Sequence, residues 1–556
     1  MPKIHNGLTR RALIERLAVI GGVGAAYSAL SALGLMGHGA LASGDTTEAL
    51  PAGSLEGKRI IVIGAGVAGL CSALRLARAG AEVEILEATG HYGGRSLTLR
   101  NGDSYSEWNW NKPTTMTFEQ VADMPPDHPD NFLNAGPGRI PQHHGRVIDY
   151  CGMLGVELQP YIYNSSANLL QNDAWNGGDP VPLRRLTQDV HGQLAELMAK
   201  VSNKGALDDL VNPTDREALL GLLTHFGQLS GDGAALFYAG ASLKTDYIRA
   251  GYRIEPGDAV TPGVPWSTLS MDDILASDFW HSEMFYDLEY FWQTTLMEPI
   301  DGMDMIVKGF LRAEVPGGRT VKDLIVLNQP VRAIDVDGDK TTVMTADGAR
   351  PPANFIIATL APSLMAGLGG NFIDAVVRQT LASVIMNPAC KVGWQGRSRF
   401  WENENRIYGG ISWTKDIINQ MWYPSHSFNS PTGVLTGAYI HDENAAPFAA
   451  MSRTERLEAA LAGGEKLHPG FRDKVFAENG VTIAWANMPY QAGGWAMDTA
   501  YTQPDVFTAL SDADRVANNV FMAGDWFSHW PGWQEGSLDS AHLATDYIAR
   551  RAMGRG

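Results

Sequence analysis

The hydrophobic pattern is clearest near the start of the chain, between residues 58 and 88. Ile60 to Ile63 is a short, apolar, β-branched run, which predicts a buried parallel strand. Apolar residues then recur at helical spacing from Leu70 to Ala77 and stop at Gly80. The run Val83 to Ile85 predicts a second strand. This order of strand, helix and strand predicts a doubly wound α/β unit.

Further strands and helices are predicted along the rest of the chain. Apolar runs in VLNQPVRAID, ANFIIATLAP and NPACKVGWQ predict strands, and the last of them contains Lys391. The segment VHGQLAELMAKVS predicts a helix in the middle of the chain. Helices and strands are therefore interleaved over the whole length.

The first 43 residues differ from this pattern. Arg10 and Arg11 precede an apolar run from Leu17 to Met36, and the small residues Ala40 to Ala42 follow. This is the order of a cleavable export signal, and twin arginines are typical of the bacterial route for folded proteins. We therefore expect export from a bacterium to the periplasm or the medium, without stable membrane association once the signal is cleaved. An uncleaved anchor is the alternative, since about 20 apolar residues can span a bilayer.

Composition narrows the classes of partner. The 556 residues carry a formal net charge of −18, which argues against nucleic acid and anionic membrane surfaces as partners. The three cysteines, Cys71, Cys151 and Cys390, show no metal-ligand spacing and cannot form a disulfide framework. We expect buried thiols and no metal site. The length allows two or three domains.

Three glycines follow the first predicted strand. Gly64, Gly66 and Gly69 form the pattern G-x-G-x-x-G, which lets the backbone approach a pyrophosphate at a helix N-terminus. Glu87 lies about 20 residues beyond them, at the end of the second strand, where it can accept both hydroxyls of an adenosine ribose. The complete unit predicts a dinucleotide site, but it does not choose between NAD and FAD.

Two motifs outside this unit favour FAD. EATGHYGGRS places Gly93-Gly94-Arg95 just after Glu87, and FMAGDWFSHWPGWQEGSLDSAHLA lies near the other end of the chain. Both resemble the FAD-dependent amine oxidase superfamily, in which the Gly-Gly-Arg segment contacts the flavin diphosphate. The resemblance implies that Asp525 meets the ribityl or diphosphate region of the flavin. It also implies non-covalent FAD, because no cysteine lies in the closing motif.

The resemblance covers Gly57 to Met553. EPIDGMDMIVKGF is similar to the family's Gly-Gly-Met-Asp segment, with Asp301 in place of the first glycine, and Val331 is expected to contact adenine through its backbone. Two stretches do not match, Asn101 to Pro129 and Ser165 to Pro299. The residues that the resemblance assigns to the cofactor are Gly64, Gly66, Ala68, Gly69, Glu87, Ala88, Gly94, Arg95, Gly136, Pro137, Gly138, Arg139, Val331, Gly524, Asp525, Gly532, Trp533, Gln534 and Ser537.

The implied fold class is α/β, or α+β over the whole chain. We expect a Rossmann-like FAD-binding domain of the glutathione-reductase type, interleaved with a mixed-sheet substrate-binding domain and a helical domain. The expected FAD-binding domain comprises residues 56–100, 300–365 and 500–553. The expected substrate-binding domain comprises residues 101–164, 286–299 and 366–499, and the helical domain residues 165–285.

Lys391 and Trp533 are the candidates for the reacting region. A lysine inside an apolar run either pays a large desolvation cost or belongs to an edge strand from which its stem reaches water. The pattern resembles the family's lysine that holds a water against flavin N5, where a cation favours electron transfer to O2. Trp533 matches the aromatic residue that walls the family's substrate pocket, although most tryptophans pack in cores.

Arg139 lies in the loop NAGPGRIP. Arginines usually point into water, but this segment resembles the Gly-Pro-Met-Arg-hydrophobic-Pro motif of the L-amino acid oxidases, with Gly138 in place of methionine. In those enzymes the arginine binds the substrate α-carboxylate, and a tyrosine at the place of Tyr423 supplies the second donor. The expected catalytic residues are Lys391, Arg139, Tyr423 and Trp533, and the expected substrate-binding residues are Arg139, Tyr423, Gly532 and Trp533.

The resemblance therefore implies an FAD-dependent L-amino acid oxidase, which converts an L-amino acid, O2 and water into a 2-oxo acid, ammonia and hydrogen peroxide. A homodimer is expected from the relatives. An amine oxidase without carboxylate recognition and an amino acid 2-monooxygenase are alternatives on the same motifs. A non-catalytic binding protein that has lost its flavin is a more distant alternative, which the intact motifs and Lys391 oppose.

Overall fold

The computed structural model describes residues 49–207, 209, 211–240, 248–281, 283–497 and 519–554. The predicted export signal, residues 1–43, lies outside the described residues. Within the described ranges, no helix combines the length and the apolar character that crossing a bilayer requires.

The α-helices described are α1 (Val67–Arg78), α2 (Gly145–Leu154), α3 (Leu183–Asn203), α4 (Pro213–Gly227), α5 (Met271–Ser277), α6 (Met305–Arg312), α7 (Pro362–Ala366), α8 (Ala375–Ser383), α9 (Phe400–Asn405), α10 (Ala445–Ala450), α11 (Arg453–Leu467), α12 (Phe471–Lys474) and α13 (Gln534–Ala552). The strands of three or more residues are β1 (Arg59–Ile63), β2 (Glu82–Leu86), β3 (Thr98–Arg100), β4 (Phe132–Asn134), β5 (Leu158–Ile162), β6 (Leu169–Gln171), β7 (Tyr252–Ile254), β8 (Thr295–Pro299), β9 (Val331–Asp337), β10 (Lys340–Thr345), β11 (Phe355–Ala358), β12 (Cys390–Gln395), β13 (Ile411–Thr414), β14 (Gln420–Trp422), β15 (Val434–Ile440), β16 (Val481–Ala484) and β17 (Val520–Met522).

A parallel sheet forms one half of the molecule, as the first hydrophobic run predicts. Its order is Ile325–Val326, β2, β1, β11 and β17, and each neighbouring pair runs in parallel. Three separate stretches of the chain supply these strands, and α13 packs against α1 on one face of the sheet. The sheet falls within the residues predicted for the FAD-binding domain, while the domain boundaries and the glutathione-reductase type stay predictions.

Two glycines make the turn from β1 to α1 possible. Gly64 has a φ of +105°, and a Cβ there would lie 2.5 Å from the Thr359 hydroxyl. A Cβ on Gly69 would lie 2.0 Å from the Gly64 carbonyl oxygen. The helix therefore packs directly against the turn, which only glycine permits at both positions.

A mixed sheet forms the other half, in the order β16, β12, β15, β14, β13, β6 and Val181–Pro182. Lys391 lies on β12, which is hydrogen-bonded on one side to β16 and on the other to β15. The edge-strand alternative for Lys391 is therefore wrong, and the side chain is 2% exposed. The three cysteines are free and buried, as expected.

The unmatched insert, residues 101–129, contributes to the core. Tyr105, Met116 and Phe118 pack in one hydrophobic cluster with Trp485. The Glu107 carboxylate accepts hydrogen bonds of 2.6 and 2.7 Å from Arg456, and both side chains are fully buried. The insert is thus tied to α11 rather than looped out into water. In the middle of the chain, α3 confirms the helix predicted there.

Candidate active site

A cavity of about 560 Å³ opens where the parallel strands end. Ile63, Leu86, Thr359 and Gly524, which end or follow four neighbouring strands, contribute to its wall. Of the residues predicted to bind the cofactor, those that line it are Gly64, Gly66, Ala68, Glu87, Ala88, Gly94, Arg95, Gly136, Pro137, Val331, Gly524, Asp525, Gly532, Trp533, Gln534 and Ser537. Gly69, Gly138 and Arg139 are not among the lining residues, and Gly69 serves the helix packing instead.

The start of α1 suits a diphosphate. Gly66 is the N-cap residue, and within the described structure no side chain caps this helix end. A Cβ on Gly66 would meet nothing within 4 Å, so the space in front of the free N–H groups is open. Unpaired N–H groups and the helix dipole together favour an anion at this position.

Glu87 is buried beside this helix end. Its Oε2 accepts a hydrogen bond of 2.9 Å from the Ala65 amide, and its Oε1 accepts from the amide and the hydroxyl of Thr89. A carboxylate has about four lone-pair sites, so these contacts leave room for one ribose hydroxyl rather than the two predicted. The cradle, the acid and the cavity fit a dinucleotide cofactor.

Arg95 and Asp525 join the two flavin motifs to each other. The Arg95 guanidinium donates to both carboxylate oxygens of Asp525 and, at 2.7 Å, to the Gly494 carbonyl. Asp525 is 2% exposed, and its Oδ2 also accepts from the Gly532 amide at 2.9 Å. The acid is therefore largely occupied by protein donors, and its contact with the ribityl or diphosphate region stays a prediction.

Lys391 reaches the cavity from the mixed sheet. Its Nζ donates to the carbonyls of Asn134 at 2.9 Å and Gly136 at 2.5 Å, and lies 4.5 Å from the ring centre of Trp422. Burial, together with the positive charge of Arg139, holds the pKa of Lys391 well below its ordinary value. The carbonyls and the ring face act in the opposite direction, because both favour the ammonium.

Arg139 lies in a cage of aromatic rings. Its guanidinium carbon is 4.3 Å from the ring centre of Trp422, 4.7 Å from that of Trp292 and 5.1 Å from that of Tyr163. Nε and Nη1 are buried and have no hydrogen-bond partner among the described residues. A Cβ on Gly138 would lie 2.8 Å from the Trp422 ring, so the methionine of the related motif would overlap this ring.

The structure contradicts the predicted role of Tyr423. Its side chain is packed in the hydrophobic core of the mixed-sheet half, and its hydroxyl is hydrogen-bonded to Ser412 at 2.8 Å and His468 at 2.7 Å. Successive residues of an extended chain point to opposite sides, and the neighbour Trp422 is the one that faces Arg139. Tyr423 therefore supports the core and cannot supply a carboxylate donor beside Arg139.

Trp533 connects the cavity to the arginine cage. Its ring centre lies 5.3 Å from that of Trp292 and 4.9 Å from that of His144. His143 and His144 pack with Trp530, and burial lowers the pKa of both imidazoles, that of His144 to about 3. Trp533 thus joins the cavity lining to the aromatic rings around Arg139, and its role as the wall of a substrate pocket stays a prediction.

Sequence reasoning missed the aromatic residues that the structure brings to this site, Tyr163 of the Arg139 cage among them. Trp292, Trp422 and Tyr439 surround Arg139 and Lys391. No motif marks them, because their contribution depends on which face of a strand or loop each side chain occupies. Tyr439 is identified by its pairing with Lys391 across two strands, which the sequence does not show.

The parallel sheet, the anion cradle and a second sheet that closes the cavity define the class of dinucleotide-dependent oxidoreductases. The sequence profile of the flavin containing amine oxidoreductases matches residues 67–549. The chain therefore belongs to the family of flavin containing amine oxidoreductases, has the amine oxidase fold, and is a flavin enzyme.

Two curated relatives illustrate the sequence similarity. The chain is 25% identical to an L-amino-acid oxidase of Siganus canaliculatus over 506 residues, which cover 89% of this chain and 86% of the relative. It is 24% identical to the flavin-dependent L-tryptophan oxidase RebO of Lentzea aerocolonigenes, over 88% of this chain and 98% of the relative.

Solved structures show the same fold. Putrescine oxidase superposes with a TM-score of 0.55 at 18% identity, covering 89% of this chain and 99% of its own. Cyclohexylamine oxidase from Brevibacterium oxydans IH-35A superposes with a TM-score of 0.56 at 17% identity and the same coverage.

Proposed function

We propose that this protein is an FAD-dependent L-amino acid oxidase that releases a 2-oxo acid, ammonia and hydrogen peroxide. The observation that carries the proposal is Arg139, a guanidinium with two buried N–H-bearing nitrogens and no anionic partner among the described residues. Burying such a group unpaired is costly, and a substrate carboxylate would offset that cost.

The residues around the cavity divide the work of the reaction. Arg139 binds the carboxylate and so fixes the orientation of the Cα–H bond, while Trp292 and Trp533 exclude water. An environment poor in water favours the neutral amine of the substrate, whose lone pair can form the C=N bond. When bound, the flavin supplies the hydride acceptor. Lys391 places a positive charge or a hydrogen-bond donor at the cavity wall, where it would stabilise the negative charge that develops on O2 as it is reduced.

The cofactor is proposed to be FAD, bound without a covalent bond. Gly64, Gly66, Glu87, Gly94 and Arg95 would hold its adenosine diphosphate part, because these residues line the cavity at the open start of α1. None of the three cysteines lines the cavity, since Cys71, Cys151 and Cys390 are buried elsewhere. Export through the twin-arginine signal and a homodimeric assembly likewise remain proposals.

An amine oxidase is the second candidate. The two enzymes of known structure described above are named for putrescine and cyclohexylamine, which are amines without a carboxylate. Such an enzyme has no requirement for an unpaired guanidinium beside its aromatic wall. Arg139 is therefore the residue that separates the two candidates. An amino acid 2-monooxygenase shares the carboxylate and differs only in its products.

The test is the selectivity of Arg139→Ala. We expect kcat/KM for L-amino acids to fall about 10²-fold, because a charge-assisted contact of roughly 3 kcal/mol is lost. Amines and amino acid esters should lose far less. Arg139→Lys should recover only part of the loss, since an ammonium cannot present two parallel donors. The flavin spectrum should be nearly unchanged, because other segments hold the cofactor.

Arg397→Ala is the matched control. Arg397 also lies against an aromatic ring, 4.3 Å from that of Phe476, but it does not line the cavity. Its replacement should leave both substrate classes unaffected. An equal loss for amines and amino acids in Arg139→Ala would make the arginine structural and favour the amine oxidase. A decarboxylated amide as product would favour the monooxygenase.

A further inference from the structure

The Glu535 carboxylate lies at the start of two helices at once. It belongs to the first turn of α13, and it accepts hydrogen bonds from the amides of Arg146 at 3.0 Å and Val147 at 2.9 Å, in the first turn of α2. In the described structure the N-cap residue of α2, His144, caps none of these amides with its side chain. Glu535 therefore caps α2 from a helix 388 residues further along the chain.

The residues that lead into these two helices pack against each other beside the cavity. Trp533 is the N-cap residue of α13 and lines the cavity, and its ring centre lies 4.9 Å from that of His144. Trp530 lies 5.2 Å from His143 and 5.8 Å from His144 in the same terms. The hydrogen bonds of Glu535 thus join the two backbones directly behind these rings.

Glu535 is buried, and the groups around it identify it as the one that changes its charge near neutral pH. The charged or titratable groups that face it are Arg75 on α1, Arg146 on α2, Asp539 and His542 on α13, and His143 and His144 ahead of α2. Arg146 and Asp539 form an ion pair of 2.5 Å. Burial lowers the pKa of the three imidazoles, that of His144 to about 3 and that of His542 to about 2. Burial raises the pKa of Glu535 to about 7.

We propose that Glu535 is a positioning residue, which holds Trp533 against the His143–His144 segment and so sets how closely the pocket wall surrounds the substrate. An ionised carboxylate accepts both amides strongly, whereas a protonated one holds α2 more weakly. The inference rests on the part of the proposed function that makes Trp533 a pocket wall. It does not depend on recognition of a carboxylate, so it applies equally to an amine substrate.

The test compares the flavin-loaded wild type with Glu535→Gln at pH 8. The change keeps the length of the side chain but turns an NH2 group towards one of the two amides, so one hydrogen bond to a charged group is lost. Such a loss corresponds to roughly a tenfold effect. We expect KM to rise about tenfold and kcat to change less, because the wall contributes mainly to binding. Reoxidation of the reduced flavin by O2 should be unchanged.

The substrate for this test is the one with the highest kcat/KM in a peroxide-coupled screen of the standard L-amino acids and the derived amines. KM is measured for both proteins at pH 5 and pH 8, and their ratio is taken at each pH, so that ionisation of the substrate cancels. The ratio should approach one at pH 5, because a protonated carboxyl group and a carboxamide each offer one acceptor and one donor. A ratio that is the same at both pH values would overturn the proposal.

Asp189→Asn is the matched control. Asp189 is also buried, accepts an amide hydrogen bond of 2.8 Å from Leu269, and has a pKa that burial raises, but its other described partner is Tyr238 in the middle of the chain. Its replacement should alter stability and leave KM unchanged. An equal rise of KM in Asp189→Asn would show a general effect of destabilisation and overturn the proposal.

A second variant, Glu535→Asp, keeps the charge and shortens the side chain. It should raise KM less than Glu535→Gln at pH 8 and should retain a dependence of KM on pH; a KM at least as high as that of Glu535→Gln would contradict a role for the charge. The two levels of inference fail in different ways. If Arg139→Ala shows no selectivity and Glu535→Gln raises KM for an amine, the amino acid oxidase proposal falls and Glu535 keeps its role. If Arg139→Ala is selective and Glu535→Gln leaves KM unchanged, only the assignment of Glu535 falls.

Discussion

Two arginines near the cofactor cavity have different surroundings: Arg95 lines the cavity, and Arg139 lies in the aromatic cage beside it. Arg95 is matched by Asp525 and by the Gly494 carbonyl, all from the protein itself. Arg139 is surrounded by the rings of Trp422, Trp292 and Tyr163, and two of its nitrogens are unpaired. Arg95 therefore has an anionic partner within the protein, whereas Arg139 has none among the described residues.

The difference separates groups that hold the fold from groups that await a substrate. A buried charge paired within the protein ties segments together, as Arg95 ties the Gly-Gly-Arg turn to the start of the closing motif. A buried charge without such a partner lowers the stability of the free enzyme and gains a partner only on binding. The same contrast predicts how four variants should behave.

The largest effect on stability is expected for Arg95→Ala. The change leaves the buried carboxylate of Asp525 without its cation, which costs about 3–5 kcal/mol, and flavin content should fall with it. Arg139→Ala should leave the stability of the ligand-free enzyme nearly unchanged or raise it. Thermal unfolding and the flavin-to-protein absorbance ratio check both statements. Equal destabilisation by the two changes would remove the distinction between the two arginines.

Glu535 lies between these two cases, because the hydrogen bonds described for its carboxylate come from backbone amides and not from a cationic side chain. It accepts hydrogen bonds from the amides of Arg146 at 3.0 Å and Val147 at 2.9 Å at the start of α2. Burial raises the pKa of Glu535 from 4.5 to about 7. The folded state therefore holds a proton that the unfolded state loses above about pH 4.5.

A pH-dependent loss of stability follows. The contribution of Glu535 is fully present below about pH 4.5 and is lost as the pH rises through about 7, by roughly 3 kcal/mol at most. Glu535→Gln cannot ionise and should lack this slope. Melting temperatures of the two proteins at pH 5 and pH 8 test this prediction. Between pH 5 and pH 8, the melting temperature of the wild type should fall relative to that of Glu535→Gln. Parallel pH profiles would show that Glu535 does not titrate in this range.

The smallest of the expected effects is that of Lys391→Met on the reoxidation of the flavin. Its nitrogen is matched by two carbonyls and two ring faces rather than by an acid. Lys391→Met should slow reoxidation of the reduced flavin by O2 by about tenfold, because a donor is lost where oxygen acquires negative charge. Reduction by substrate should change much less. Stopped-flow traces with unchanged reoxidation would exclude Lys391 from the reaction with oxygen.

The cofactor half could be predicted in detail because its chemistry depends on backbone and short spacings. Gly64, Gly66 and Glu87 lie within one strand–helix–strand unit, so their positions follow from the local pattern. The conformation of Asp301 agrees with this picture, since its φ of 67° is one that glycine adopts readily, as the related motif implies.

The substrate half could be predicted only in part, because its wall consists of side chains from strands far apart in the sequence. The Tyr-Pro motif led to Tyr423, and the register of β14 turns that residue into the core and Trp422 towards Arg139. A shift of one residue along a strand reverses the face, and a motif alone does not fix the face. Tyr439 needed the pairing of β15 with β12, which no single segment encodes.

The contact between Gly138 and Trp422 couples the side chains that these two positions can accept. Any side chain at position 138 would overlap the Trp422 ring, since even a Cβ would lie 2.8 Å from it. A larger residue at 138, such as the methionine of the related motif, is therefore compatible only with a smaller residue at 422. Variant libraries that reshape this pocket should exchange both positions together, because a larger residue at 138 alone would overlap the Trp422 ring.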